Sequence, residues 1–253
     1  MRTERKVAAG TQLLWLVGLL ILWEAVSRLG WVNPLILPPV SAVLLHLARG
    51  LLDGTLVLQW LQSIGLVLGG LLLGGFAALL MACLDFFFPR TRPVLSLFSS
   101  MLHPLPGVAL LPLILAVAGI GARAVFLVIL HAVVWSAYLG MSTGFQQVEP
   151  HLVDVAENMG ANRRQLIWHV LLPVTAPHIG AAMRIGWSRG WRALIGAEMI
   201  FSAIGTLGGI GWYLFERRAF MDITGLYAGI VLVIATGVVM EQVVFRRWLP
   251  AEA

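Results

Sequence analysis

Few side chains in this sequence could do covalent chemistry, and their spacing limits what that chemistry is. Gly140-Met141-Ser142-Thr143-Gly144 spells G-x-S-x-G, the nucleophile turn of serine hydrolases, which needs a strand running into a helix. Here the five residues end an apolar segment of helical length, and small-residue helix packing accounts for Ser142. A serine nucleophile also needs a base within hydrogen-bond reach. No histidine follows His178, so the last apolar segment supplies none. The Gly205 to Gly211 stretch lacks G-x-G-x-x-G spacing and follows no strand, which removes dinucleotide binding. Lys6 is the only lysine, so the chain has no G-x-x-x-x-G-K-S/T phosphate loop. Cys83, the single cysteine, permits neither an intrachain disulfide nor a cysteine-based zinc cluster.

The charges that remain stand in apolar surroundings, where each costs about 2.5–3.5 kcal/mol at mid-bilayer on insertion scales. Arg184, Arg189, Arg192 and Glu198 fall within one such segment. At 100° per residue, Arg184, Ser188, Trp191, Arg192, Ile195, Glu198 and Met199 share one side of a helix, a side that should face the bundle interior or a solute path. Two readings follow. Arg189 or Arg192 pairs with Glu198 or with carbonyls at helix ends, or Arg192 attracts an anionic solute while Trp191 and Met199 shape its cavity. His103-Pro104-Leu105-Pro106 breaks another apolar segment near its start. Such breaks are tolerated where they line a cavity or are covered by protein. His131 either faces the same cavity or packs within the bundle.

The elements that must position these residues are membrane helices. The 253 residues are 59% hydrophobic and 11% charged, with mean hydropathy +0.90, against about 25% charged in a soluble domain. A crossing takes roughly 20 apolar residues. Six can be placed, at about Leu13 to Leu29, Leu56 to Leu84, Val94 to Ala118, Ala124 to Phe145, Ile179 to Ile200 and Ile223 to Val244. Residues 37–52, entered through Pro38-Pro39, suit a helix lying on the membrane surface. The basic start, Arg2, Arg5 and Lys6, resembles that of a signal peptide, but no small-residue cleavage site follows Trp23-Glu24, so a retained first span is expected.

With the N-terminus inside, the cytoplasmic flanks carry Arg2, Arg5, Lys6, Arg90, Arg92, Arg163, Arg164, Arg246 and Arg247, and the outer flanks carry Arg28, Arg49, Arg123, Arg217 and Arg218. Nine against five satisfies the positive-inside rule and puts both termini in the cytoplasm. The net charge of +5 is spread over span ends, next to lipid, and does not point to nucleic acid. The expected organisation is a cytoplasmic tail over residues 1–12, a first span with the interfacial segment over 13–55, and the main transmembrane domain over 56–248. A cytoplasmic loop at 149–173 interrupts that domain.

That loop gathers charge. Pro150 suits a helix's first turn. Leu152, Val155, Ala156 and Met159 then recur at helical spacing, with Asp154, Glu157 and Asn158 around them. Gly160 falls where a helix stops in a left-handed turn. Asn162 and Gln165 form a capping-box pattern for a second helix, which Pro173 is expected to end. An acidic helix is a poor partner for anionic headgroups and a better one for a protein groove.

Asp154-Val155-Ala156, three residues, Gly160, nine residues, then Val170-Leu171-Leu172-Pro173 resembles the Glu-Ala-Ala loop of ATP-binding-cassette importer permeases. That loop reads Glu-Ala-Ala, three residues, Gly, nine residues, Ile-x-Leu-Pro. Asp154, Val155 and Val170 are mild departures from it. "LPPVSAV" at 37, "HPLPGVALLPLILAVAGIG" at 103 and "GAEMIFSAIGTLGGIGWYL" at 196 are similar to the nitrate, sulfonate and taurine branch, which usually has Trp-Phe where Val117-Ala118 stand here. The resemblance implies an all-α, six-helix type I importer permease acting as a homodimer in the bacterial cytoplasmic (inner) membrane. It implies a separate cytoplasmic ATPase that uses the ATP, and a periplasmic or lipid-anchored solute-binding protein. This chain would bind no cofactor itself and would not be an enzyme. In those terms Leu152, Val155, Ala156 and Met159 dock in the ATPase, Asp154 and Glu157 pair with the cleft rim, and Gly160 and Pro173 shape the loop. The expected translocation pathway draws on His103, Pro104, Pro106, His131, Ser188, Trp191, Arg192, Glu198 and Met199, for a small anion such as nitrate, a sulfonate or taurine. The alternatives are an ion-coupled secondary transporter, with broken helices in inverted repeats, and a rhomboid-like intramembrane hydrolase.

Overall fold

Every element along the chain is helical in the computed structural model, which describes residues 2–202 and 208–245. The side chains of Arg2, Arg5 and Lys6, residues 205–207 of the glycine-rich stretch, and Arg246 and Arg247 lie outside the described residues. So do the last residues of the expected 56–248 domain.

Three helices make the core: α3 (Thr55–Phe87), α6 (Ala122–Gln146) and α9 (Leu172–Ser202). No hydrophobic drive separates helix–helix from helix–lipid contact, so close backbone approach decides which faces pair. A β-carbon on Gly70 would stand 2.5 Å from the Ile129 side chain, and one on Gly140 would stand 2.8 Å from Ala182. Behind this seam Val67, Leu71, Val128, Ile129, Val133, Trp187 and Leu194 are buried together. Substituting these glycines would force the helices apart.

Around the core stand α1 (Arg2–Arg28), α2 (Val40–Leu52) and α11 (Ile223–Val239), the last continued by a π-helical turn, Met240–Phe245. Among the described residues, five helices are long and apolar enough to cross a membrane. The sixth expected crossing is a bent pair. Helix α4 (Arg92–Leu102) meets a 3-10 turn (Gly107–Leu110) and α5 (Leu111–Ala118) at 95°, with the break at His103 to Pro106. Residues 2–12, expected as a tail, continue α1. Pro39 precedes α2, whose start is tied to α1 by bonds from Trp23 Nε1 to Pro38 O (3.0 Å) and from Ser27 Oγ to Leu37 O (2.8 Å).

One expectation is corrected. Pro173 does not end a helix. The run from Arg163 to Phe201 is continuous over 39 residues, through α8 (Arg163–Leu166), a π turn (Ile167–Leu171) and α9. The wider π turn changes the hydrogen-bond register just before Pro173, and the proline, in the first turn of α9, has no N–H to lose. Thr175 Oγ donates to Leu171 O at 2.6 Å and satisfies a carbonyl at the same place.

Candidate functional site: a coupling loop and a cationic cavity

Helix α7 (Pro150–Asn158) starts on Pro150 and closes in a Schellman turn. Gly160 takes φ +84°, Ala161 N–H donates to Ala156 O at 3.0 Å and Gly160 N–H donates to Glu157 O at 2.9 Å. The next helix opens on a capping box: Gln165 N–H donates to Asn162 Oδ1 (3.0 Å) and Asn162 N–H to Gln165 Oε1 (2.9 Å). Both devices were readable in the sequence, because each depends on residues within five positions.

Packing divides the loop into two faces. Val153 and Ala156 pack inward with Phe86, Phe87, Ile167 and Val170 against a small core of Val148, Leu166 and Leu171. The Arg163 guanidinium lies over the Phe87 and Phe88 rings, at 5.6 and 5.1 Å from their centroids. Leu152, Val155 and Met159 point outward at i, i+3 and i+7, with Met159 83% exposed. Asp154 and Glu157 flank them, exposed. The structure thus separates Ala156, half-buried, from the residues grouped with it. What remains outside is an apolar ridge edged with acids on a rigidly seated helix.

The break in α4–α5 opens a cavity of about 410 Å3. His103, Pro104, Pro106, His131 and Arg192 all line it. Trp135 and Arg189 line it too and had been missed as pathway residues. Trp135 is one helical turn beyond His131, a spacing that could have flagged it. Arg189 Nη1 donates to His103 O at 3.3 Å, a carbonyl freed by the break, and Arg192 Nε donates to Ser188 O at 3.0 Å. Neither ring nitrogen of His131 has a hydrogen-bond partner among the described residues. Two guanidinium groups and two imidazoles line the space, with no carboxylate lining it among the described residues.

The other expected pathway residues stand elsewhere. Trp191 is buried and stacks on Trp187, ring centroids 5.6 Å apart. Met199 is half-buried and Ser188 is exposed, and neither is among the residues lining the cavity. Glu198 is fully buried in a polar knot. Ser63 Oγ lies 2.8 Å from both of its carboxylate oxygens, Gly211 N–H donates to Oε2 at 2.8 Å, and Ile210 N–H donates to Ser63 Oγ at 2.8 Å. Ile210 and Gly211 open α10 (Ile210–Ala219), so Glu198 and Ser63 satisfy two of that helix's orphan donors and set a carboxylate at its positive end. Ser142 is committed as well. Its hydroxyl donates to Asp85 Oδ2 at 3.0 Å and accepts from Gln146 Nε2 at 3.0 Å, with no histidine in the arrangement.

Known proteins share this architecture. A family model described as "Binding-protein-dependent transport system inner membrane component" matches residues 70–246. The taurine transport system permease protein of Escherichia coli is 30% identical over 232 residues, covering 88% of this chain and 82% of that protein. A putative aliphatic sulfonates transport permease protein of Bacillus subtilis is 27% identical over 236 residues, covering 91% and 84%. The bicarbonate transport system permease protein of Synechocystis is 24% identical over 238 residues, covering 90% and 83%. Among solved structures, an inward-facing form of the MetNI methionine ABC transporter superposes with TM-score 0.64 at 17% identity, over 78% of this chain and 95% of that one, which shows the fold. A six-segment helical bundle with a seated loop and a broken span, matched over most of its length, is a transport permease, and the chain belongs to the family of binding-protein-dependent transport system inner membrane components, the membrane subunits of ATP-binding-cassette importers.

Proposed function

We propose that this permease imports a small oxyanion (a sulfonate, taurine, nitrate or bicarbonate) through the cavity at the break in α4–α5. The observation that carries the reading is the cavity lining: Arg189, Arg192, His103 and His131 converge on one space, with no carboxylate lining it among the described residues. At an effective dielectric of 20, an anion 4 Å from one guanidinium gains about 4 kcal/mol, enough to offset part of its dehydration. The relatives that are permeases for taurine (through its sulfonate group), sulfonates and bicarbonate agree with that preference.

Two copies of the chain form the membrane unit. Each presents Leu152, Val155 and Met159 to a cleft in a cytoplasmic ATPase, with Asp154 and Glu157 against the cleft rim. ATP is bound and hydrolysed by that partner, a solute-binding protein delivers the anion on the other side, and both termini of the permease are cytoplasmic. Ala156, Gly160 and Pro173 fix the loop from behind. Among the pathway residues, His103, Pro104, Pro106, His131 and Arg192 contact or border the solute and Ser188 extends the path, while Trp191, Glu198 and Met199 support α9.

The test is uptake of labelled anions by cells carrying variants at the native locus. Arg192→Gln and Arg189→Gln should each raise KM by about tenfold or more, since a hydrogen bond to a charged group contributes about 1.5–3 kcal/mol. An unchanged KM for anionic solutes in both variants, at normal membrane levels, would remove the arginines from solute contact.

A further inference from the structure

The cationic surface does not stop at the cavity. Arg184, Ser188 and Arg192 stand at i, i+4 and i+8 on α9, and all three are exposed. Eight residues of helix place Arg184 about 12 Å from Arg192 along the axis, toward the end of α9 that leads into the coupling loop. Arg184 has a partner there. Its Nε and Nη2 donate to one oxygen of Glu241, Oε1, at 3.1 and 2.6 Å. The two side chains are 50% and 47% exposed, beside exposed Ile185, Val238, Val239 and Val243.

Two features set this pair apart from a simple brace. Half-exposed charges on an apolar membrane-spanning flank are costly against hydrocarbon, so the face meets water or protein. Glu241 also sits in the π turn that continues α11, a distortion that widens the helix and is frequent at functional sites. The guanidinium is engaged through only two of its nitrogens, and Nη1 makes no hydrogen bond among the described residues.

We propose that Arg184 is a second anion subsite, on the coupling-loop side of the cavity, and that Glu241 is the resident carboxylate that displaces the solute from it. The proposal rests on the anionic-solute reading above. An oxyanion leaving Arg192 passes Ser188 and takes the guanidinium of Arg184 from Glu241. When Glu241 returns, one oxyanion replaces another and the guanidinium is never left unpaired. Conduction through a binding path requires sites strong enough to enter and weak enough to leave. Competition by an internal carboxylate supplies the weakness.

The experiment is uptake of labelled taurine, ethanesulfonate and bicarbonate by cells carrying the variants at the native locus, with permease levels measured in membranes. Glu241→Gln should lower Vmax by about tenfold, the effect of about 1.4 kcal/mol of unopposed retention, and should lower KM with it. Arg184→Gln should lower Vmax with KM unchanged. The double variant Arg184→Gln/Glu241→Gln should return KM to the wild-type value while Vmax stays low. Full uptake by the double variant, or a Glu241→Gln phenotype confined to membrane level with KM unchanged, would reduce the pair to a brace and overturn the proposal. The Arg192→Gln variant separates the two readings. If it raises KM while the Arg184 and Glu241 variants behave as a brace, only the second subsite falls. If wild-type cells take up none of the three anions, the anionic-solute reading falls and takes the subsite with it.

Discussion

Glu198 is a carboxyl where charge is expensive, and the Ser63 hydroxyl and the Gly211 N–H account for its place. Ser63, which itself accepts from the Ile210 N–H, ties the carboxyl to the start of α10. The sequence puts Glu198 on the same helical side as Arg192, which suggests a pair. The bond to Ser63 spans 135 residues, and no local spacing reveals it. A β-carbon on Gly211 would come within 2.5 Å of the Glu198 side chain, so the fit is tight on both sides. Glu198→Ala strands the Gly211 N–H and the Ser63 hydroxyl, and each buried unpaired group costs about 1–3 kcal/mol. Glu198→Gln keeps an acceptor in place. Thermal unfolding of the detergent-purified protein should therefore rank wild type above Gln and Gln well above Ala. Equal losses for the two variants would mean that the knot is not what holds α10. Arg192 tells the opposite story. The sequence leaves it two readings, pairing or solute contact, and the structure puts it at the cavity with its Nε on Ser188 O.

Helices and their ends were the most readable level. Apolar length alone located the cores of α1, α3, α6, α9 and α11, and glycine at 160 located the bend of the loop. The π turns were not readable, because a one-residue register change leaves no periodic trace in so short a segment, and the apparent stop at Pro173 followed from missing one. Gly160, at φ +84°, holds an angle that favours glycine. Gly160→Pro cannot reach that angle and loses the bond to Glu157 O, so it should abolish uptake while the permease still inserts. Normal uptake by an inserted variant would show that the bend is dispensable. Asp222, at the start of α11, offers a pH test. Partial burial pushes its carboxyl up, but the Gly225 N–H, 2.9 Å away, and the Arg217 guanidinium, 3.1 Å away, outweigh that and hold it below the usual carboxylate range. A depressed folded-state value means stabilisation that is full above the ordinary carboxylate range and lost as pH falls through the lowered value. The gap in Tm between wild type and Asp222→Ala, from a cap contribution of about 1 kcal/mol, should close in strong acid. A gap independent of pH would assign the effect to packing.

For the whole molecule, the absence of any lysine but Lys6 leaves the sequence without a G-x-x-x-x-G-K-S/T phosphate loop, in keeping with the proposed separate ATPase. The architecture has a place where force from such a partner would enter. Val153 and Ala156 of α7 and Phe86 and Phe87 of α3 pack against one small core, Arg163 of α8 lies over Phe87, and α8 runs without a stop into α9, the helix that carries Arg184, Arg189 and Arg192. Under the proposed coupling, force on the Leu152–Val155–Met159 ridge enters next to one end of a continuous 39-residue helical run whose far half lines the cavity. Relative placement of the two was beyond the sequence, since it depends on the α3–α6–α9 seam and not on any one segment. The most direct test is cysteine crosslinking in the assembled importer. Met159→Cys in a Cys83→Ser background should crosslink to the ATPase subunit, and Phe220→Cys in the same background, at the exposed turn after α10, should not. A transport-competent complex in which position 159 fails to crosslink, or in which position 220 reaches the ATPase instead, would contradict the coupling mechanism.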